Sequence, residues 1–576
     1  MSFAALSRTY GLGRRTTGAL VIVALALGAC GKDANTSPTS TPAADSVAPG
    51  ETLPPDTGAP ATGGGSAVDT GLAITTPAAT TEVDSVTWTL YREVGSLDPI
   101  FAFDYPENTV LAQMCETLLR QDPDGSLQPG LADLTQPDAT TLVFTLRNGV
   151  TFWNGDPVTA ADVVFSLERA RSTELGGFYP AVFTRVSTIV ATSDTVVTIT
   201  LAEPDYWLLG ELASTPGWIV QQSFVEAAGG DFGNPTGRTM CSGAFKLGDW
   251  NVGEKLAIVR NDSYWNPEVK PLVKEIDFIG VPDANTLTTG LLAGDISGTY
   301  SFGPLPTIDQ LTGNAGITVT EGAGWNTEAL IVSSFDGPLG TKEVRQALSL
   351  ALDRKAYIDA VYKGYASIPH AISAPGTWGY APDVFQAAYD ALPAMNQDLA
   401  KAKQLADAAG AAGKTITIGF VSDSEAAQAQ ANAYKTAGEA IGLKVELKGV
   451  TADQYINFFI DAKFREGVDG FFTVNYGDYA DPAALLSTLV LPEGSQNYTG
   501  YANETVTALM EEARSTADPA ERAAKVVEAQ VLITDDLPWI PTAYPSNLVV
   551  TRSNITGQVA SFAYMFAPWA WTMGGV

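Results

Sequence analysis

Between Phe144 and Arg169 the hydrophobic positions first alternate and then recur every three to four residues. Phe144 and Leu146, then Val150 and Phe152, are separated by polar neighbours, the period of a half-buried strand. Asn148-Gly149 lies between the two pairs and can supply the positive φ angles of a tight hairpin turn; Asn154-Gly155 repeats the device. Thr159 stands three residues before Asp162, a capping-box-like start with Asp in place of Glu or Gln. Val163, Val164, Leu167 and Ala170 follow at helical spacing. The pattern predicts hairpin, turn and helix, with the acids of the stretch serving capping and solvation.

Similar patterns run through the rest of the chain. Thr341 can cap a helix in which Val344, Ala347, Leu348, Ala351 and Leu352 share a face, and which runs to about Tyr362 with Gly364 as its stop. A second helix is predicted from Gln397 to Ala409, with Leu399, Ala402, Leu405 and Ala406 on one side and Gly410 as its cap. The strand Thr415 to Val421 follows it, and Val506 to Arg514 and Pro519 to Thr534 are helical late in the chain. Interleaved helices and strands from Val86 onward argue for α/β lobes, without an internal repeat. With 576 residues, 45% of them hydrophobic, the chain exceeds what one core needs, so two or more lobes are expected.

The N-terminus reads differently. Arg14 and Arg15 precede an apolar run, Ala19 to Ala29, that ends in Leu27-Gly28-Ala29-Cys30. A basic start, a short apolar run and small residues before a Cys read as a bacterial lipoprotein signal over 1–29, with Cys30 the lipidated residue. The run is short for a bilayer span. The arginine pair leaves general and twin-arginine export both open. Gly31 to Val83 contains no Phe, Trp or Tyr and one basic residue, Lys32. Such a segment cannot bury enough surface to fold, so 30–83 is expected to be a lipidated Cys followed by a disordered tether.

The chain carries 33 basic and 64 acidic residues, a formal charge of −31. A surface so acidic repels nucleic-acid phosphates and anionic lipid, and the basic clusters of a nucleic-acid footprint are absent. Beyond Cys30 only Cys115 and Cys241 remain; in an exported protein they read as one disulfide, the alternative being two buried free thiols.

The chain offers little catalytic chemistry. His370 is the one histidine, which rules out a His-Asp triad elsewhere and disfavours a zinc site; it follows Pro369 in a loop-like segment. Gly410 to Thr415, "GAAGKT", has Ala408 where a phosphate loop needs its first Gly, and turns from helix to strand instead of strand to helix. "DPDG", Asp122 to Gly125, lacks the spacing of a calcium loop and reads as a β-turn. No G-x-S-x-G elbow is present. The chain reads as a non-enzyme, with no cofactor or metal expected.

Seven motifs then fall in order. They are "SLDP" (Ser96 to Pro99), "CETLLR" (Cys115 to Arg120), the stretch from Thr145 to Arg169, and "SGAFKLGDW" (Ser242 to Trp250) with "RNDSYW" (Arg260 to Trp265). "LLAGDI" (Leu291 to Ile296), "VRQALSLALDRKAYI" (Val344 to Ile358) and "YGDYADP" (Tyr476 to Pro482) complete the set. Together they resemble the extracytoplasmic solute-binding proteins of peptide-type ABC importers, the family-5 group of dipeptide-, oligopeptide- and nickel-binding proteins. The resemblance implies an α/β, two-lobed, periplasmic-binding-protein-like (type II) fold with an extra subdomain in the first lobe. It places the first lobe at 84–324, the second at 325–541, and a C-terminal return to the first at 542–576. It implies a monomer on the outer face of the cell membrane that captures a peptide or another amine-bearing solute and delivers it to a permease. Metal chelates, haem and oligosaccharides stay open as other solutes on the same fold, and an exported hydrolase is the rival outside it.

The resemblance also places the site. Asp478 matches the acid that faces a peptide's α-amino group, and an ammonium enclosed between lobes must meet a carboxylate to offset its desolvation. Tyr476 lies where an extended peptide would pair with the backbone; with Asn475 it stands where many members carry a Trp, so the first side-chain pocket departs from the family pattern. Phe103, Asp104 and Tyr105 match a ligand-facing loop of the first lobe. Trp325 and Asn326 fall at the crossing into the second. Hinge or core packing is the competing role for these aromatics. Arg345 and Asp353 match family residues that read as structural.

Overall fold

The computed structural model describes residues 72–576 apart from Phe302. The signal segment 1–29, Cys30 and most of the tether lie outside the described residues. The tether ends earlier than its composition predicts. Ala73 donates its N–H to Glu321 and Thr76 to Gln558, and Thr75 and Thr81 bridge to Val559 and Gly575, so residues from Ala73 onward lie against the end of strand Ile317–Gly322 and then the C-terminal segment. Composition missed this because the backbone makes the attachment, with few apolar side chains needed.

Among the described residues three larger sheets organise the chain. The first has seven strands in the order Ile317–Gly322, Asn547–Arg552, Gly298–Ser301, Val83–Leu90, Val273–Gly280, Lys255–Arg260 and Phe245–Asn251. Its core is aromatic: Trp569 lies within ring-contact distance of both Trp88 and Phe278. The second has six strands, in the order Ala366–Ser367, Trp539–Pro545, Thr327–Val332, Gly470–Asn475, Thr415–Val421 and Lys444–Val450. Its central strands Thr327–Val332 and Trp539–Pro545 are buried throughout, as strands covered on both faces must be. The chain passes between these sheets twice, from Gly322 to Thr327 and from Pro545 to Asn547. Strand Trp539–Pro545 thus stays with the second sheet four residues past the expected boundary at 541, because residues through Ala543 pair with Thr327–Val332 and Tyr544 and Pro545 with Ala366–Ser367.

The third sheet, of four antiparallel strands, holds the stretch from Phe144 onward. Thr141–Leu146 alternates buried and partly exposed residues as the pattern predicts. It does not form a hairpin with Val150–Phe152. Its edges are taken by Ala132–Asp138 and Val196–Leu201, so no edge is left for the segment that follows. Residues 150–158 close on themselves around Asn154-Gly155 instead, with Val158 N–H donating to Val150 O. Gly149 and Gly155 both take positive φ, 79° and 90°, as both turns require. Helix Ala160–Arg171 then starts with the Thr159–Asp162 capping box, and its apolar face packs on this sheet's core.

Cys115 and Cys241 are bonded, tying the end of the buried helix Tyr105–Met114 to the segment before strand Phe245–Asn251. The helix expected to run unbroken from Thr341 to Tyr362 stops at Ala351. Leu352 is extended, and Asp353, exposed to solvent, caps a new turn by accepting from the Ala356 N–H. The break turns Arg354 inward, where it donates to the carbonyls of Ser349, Met395 and Pro541. Arg345 is likewise buried and holds the Leu339 and Asp536 carbonyls. Helices Leu399–Ala408, Glu504–Ser515 and Pro519–Asp536 and strand Thr415–Val421 stand where the patterning puts them, within two residues at each end.

Candidate functional site

A cavity of about 530 Å³ separates the loop Phe103–Asp104 and the segment Phe178–Glu211 on one side from residues 475–514 on the other. The first side belongs to the chain between the strands of the seven- and four-stranded sheets. The second side begins at the end of strand Gly470–Asn475 in the six-stranded sheet. Two carboxylates face each other here. Asp478 follows that strand; Glu211 ends the single helical turn Leu208–Glu211. Gly210 is pressed against the ring of Tyr479, which brings the neighbouring Glu211 and Asp478 together across the cleft. Among the described residues no side chain donates a hydrogen bond to the carboxylate of Asp478; Gln121 donates only to its backbone oxygen, at 3.0 Å. Desolvation pushes the Asp478 carboxyl up to about 6. Glu211 is driven well above the ordinary carboxylate range, first by desolvation and then by repulsion from Asp478 and Asp205.

Beside this pair the two sides are latched together. Arg514 Nη2 donates to Asp205 Oδ2 at 2.6 Å, the carboxylate almost fully buried and the arginine partly so, and the guanidinium lies 5.4 Å from the Trp207 ring. Arg185 pairs with Glu511 and donates to Ser515 Oγ at 3.1 Å. The Tyr206 N–H donates to the Arg514 carbonyl. The structure is therefore a closed form, its lobes in direct polar contact.

The residues singled out in the sequence divide into two groups. Asp478, Tyr476, Asp104 and Phe103 line the cavity. Phe103 is 48% exposed and meets Phe178 edge to face at 4.5 Å, an aromatic wall open to a guest. Tyr476 donates its hydroxyl to the Phe103 carbonyl at 3.1 Å, across the cleft. Asp104 lines the cavity with its carboxylate already engaged: Oδ1 caps helix Tyr105–Met114 and Oδ2 takes Arg92 and Tyr91. Tyr105, Trp325 and Asn326 do not line it. Trp325 and Asn326 are each 1% exposed; Asn326 Nδ2 donates to the Tyr105 hydroxyl at 2.7 Å, and Trp325 packs on Phe562 and Phe566. These three hold the crossing between the sheets, where buried aromatics pack and buried amides need partners. Glu211, Asp205, Trp207 and Arg514 were not legible as site residues. They belong to no motif: Asp205, Trp207 and Glu211 come from a loop and a short turn, Arg514 from the last turn of helix Glu504–Ser515, and they meet only in the closed fold.

A second cavity, of about 590 Å³, lies behind the crossing, lined by Leu72, Trp378, Tyr389 and Tyr544 among others. Its two carboxylates are satisfied locally: Glu321 accepts from Ser546, and Asp124 from Ser126. His370 stands near by, stacked on Tyr389 at 4.3 Å with Nδ1 3.2 Å from the Tyr389 carbonyl. The electrostatic demand for a ligand therefore lies in the first cavity.

Buried acids of the second sheet and the cleft give the unliganded protein an unusual pH dependence. Asp478 and Asp481 are raised from 3.8 to about 6, and Glu328 from 4.5 to about 7, all by desolvation. An acid raised on folding stabilises the fold below its ordinary value and loses that contribution as pH rises through its folded value. We expect the unliganded protein to melt at a higher temperature at pH 5.5 than at pH 7.5. Calorimetric melts at the two pH values check this; a higher melting temperature at pH 7.5 contradicts it.

Two α/β lobes joined by two crossings, with a cavity closed between them and an extra sheet beside the first, define a solute-binding protein of the periplasmic-binding-protein-like kind. The family model for bacterial extracellular solute-binding proteins, family 5, matches residues 126–497, and the chain belongs to that family. The periplasmic oligopeptide-binding protein OppA of Escherichia coli (strain K12) is 25% identical over 526 residues, spanning 85% of this chain and 93% of that protein. The nickel-binding periplasmic protein of the same organism is 26% identical over 501 residues, spanning 82% and 91%. Among solved structures, the ABC transporter-associated periplasmic binding protein DppA from Helicobacter pylori, in complex with the peptide STSA, superposes with a TM-score of 0.73. It is 23% identical, covering 86% of this chain and 98% of that one.

Proposed function

We propose that this chain is the capture component of an ABC importer, held outside the cell membrane as a monomer by a lipid on Cys30, and that it binds peptides by their free amino end. The observation that carries the reading is the Asp478 carboxylate, half-buried in the cavity between the lobes with no cation among the described residues to meet it. A buried carboxylate without a partner is costly, and a guest's α-ammonium is the group that removes the cost. The backbone beside it supports a peptide over other amines. Strand Gly470–Asn475 pairs with Thr327–Val332 along its whole length, but with Thr415–Val421 only at Gly470 and Phe471. Beyond Phe471 that second edge pairs with no strand among the described residues, and Asn475 and Tyr476 at its end line the cavity, where an extended peptide could add. The cavity falls within the usual size range of small-ligand sites.

The cycle follows from the geometry. An open form meets the peptide, and the lobes close when both touch it, since only contacts absent from the open form can drive closure. The closed form presents both lobes to a permease. Among the described residues no group of three or more His, Cys, Asp and Glu is placed to hold a metal ion, so a metal guest would have to arrive already chelated. Native mass spectrometry of the freshly purified protein, followed by denaturing release, tests the reading. We expect released peptides with free N-termini. Release of only amine-free solutes would overturn it.

A further inference from the structure

The peptide reading uses one acid, and a second acid without a partner lines the same cavity. Glu211 reaches it from the lobe opposite Asp478, and its Oε2 is buried without any hydrogen-bond partner. A carboxylate oxygen left unmatched in a closed cavity is a cost the fold does not relieve internally. Among the described residues Arg514 is the one cation on this wall, and it is committed to Asp205 at 2.6 Å and lies against Trp207. Asp205, Glu211 and Asp478 thus stand against a single Arg514 at this end of the cavity. The remaining acids on the lining do not alter that balance: Asp104 is held by Arg92, and Glu493 is exposed at the rim. One α-ammonium would offset Asp478 and leave Glu211 uncompensated.

Resting on the proposed function, we propose that Glu211 is a second cation-binding residue and that the preferred guests carry two positive charges at one end: peptides whose N-terminal residue is itself basic. The α-ammonium meets Asp478 on one side of the cleft. The side-chain cation of the same residue meets Glu211 on the other, past Gly210 and Tyr479. Because the two carboxylates belong to opposite lobes, such a guest replaces a cross-cleft repulsion with two attractions, and does so only when the lobes are closed. Specificity for the doubly charged end then has the same physical origin as closure.

The test is calorimetric titration of the purified full chain at pH 7.5 with Lys-Ala-Ala and Ala-Ala-Ala. We expect the wild-type protein to bind Lys-Ala-Ala at least about tenfold more tightly, the scale of one desolvated charge pair. Glu211→Gln should abolish that preference, with a calorimetric melt reporting that the variant is folded. If the wild-type protein binds both peptides alike, or the preference survives in Glu211→Gln, the inference is overturned and the peptide reading stands. If neither peptide binds the wild-type protein, the peptide reading itself has failed, and this inference with it. A Glu211→Gln protein that binds nothing leaves the wild-type comparison of the two peptides to decide.

Discussion

Asp478→Asn is expected to lower the affinity for peptides with a free N-terminus by about 100-fold, and to leave N-acetylated versions of the same peptides nearly unchanged. The substitution keeps the shape of the side chain and removes its charge. Truncating one partner of a buried, hydrogen-bonded charge pair costs about 2–5 kcal/mol, and each 1.4 kcal/mol is about tenfold in affinity. An acetylated terminus carries no charge, so it loses nothing when the carboxylate is replaced. The same substitution has the opposite sign without ligand. Asp478 is raised to about 6 because burial disfavours its ionised form, so at pH 7.5 the unliganded variant should melt at a higher temperature than the wild type. Intrinsic fluorescence reads the binding arm, since eleven tryptophans are present and Trp207 lines the cavity. Equal losses for free and acetylated peptides would remove Asp478 from its role, whatever the melts showed.

The residues that patterning found and those it missed differ in how they are held. The helix after Thr159 and the strand Thr415–Val421 follow from local signals: a capping pair, a run of β-branched residues, a glycine at φ 62° before the strand. Pairing partners do not. Asn148-Gly149 is a genuine turn, yet the strand before it pairs with Val196–Leu201, some fifty residues on in the chain. Register between distant strands is set by the core they enclose, which no local window contains. The site divides in the same way. The place of Asp478 on the cavity lining was legible because it sits in a motif directly after a strand end. Glu211 was not, since nothing in "WLLGEL" distinguishes a cavity-facing acid from a solvated one. Its role comes from the apposition of Gly210 and Tyr479, residues 269 positions apart that meet only across the closed cleft. Trp325 and Tyr105 show the reverse error: aromatics beside a ligand loop, in motif positions, that the fold spends on the crossing between its sheets.

That apposition supplies the second large effect. A Cβ placed on Gly210 would lie 2.3, 2.5 and 2.8 Å from three carbons of the Tyr479 ring, distances that side chains do not tolerate. Tyr479 cannot step aside, because it is buried in the same cluster as Trp207, Leu485 and Phe471. Gly210 has ordinary helical neighbours and is not among the residues with positive φ, so its own backbone accepts a side chain. The strain of Gly210→Ala is therefore relieved by moving one lobe away from the other, which also draws Trp207 off the cluster it shares with Tyr479. Overpacking of this kind typically costs about 1–3 kcal/mol. Charged against the closed form, that cost reduces the binding-competent fraction, and apparent affinity falls with the fraction, here by about 10- to 100-fold. Gly210→Val should deepen the loss, since its two γ-methyls extend the wedge. Small-angle scattering separates this from local damage to the pocket. The wild-type protein should contract when a tripeptide saturates it, whereas Gly210→Val at the same occupancy should keep the larger radius of its open form. A Gly210→Val protein that closes fully and binds as tightly as wild type would mean that the Gly210–Tyr479 contact is not where the lobes meet.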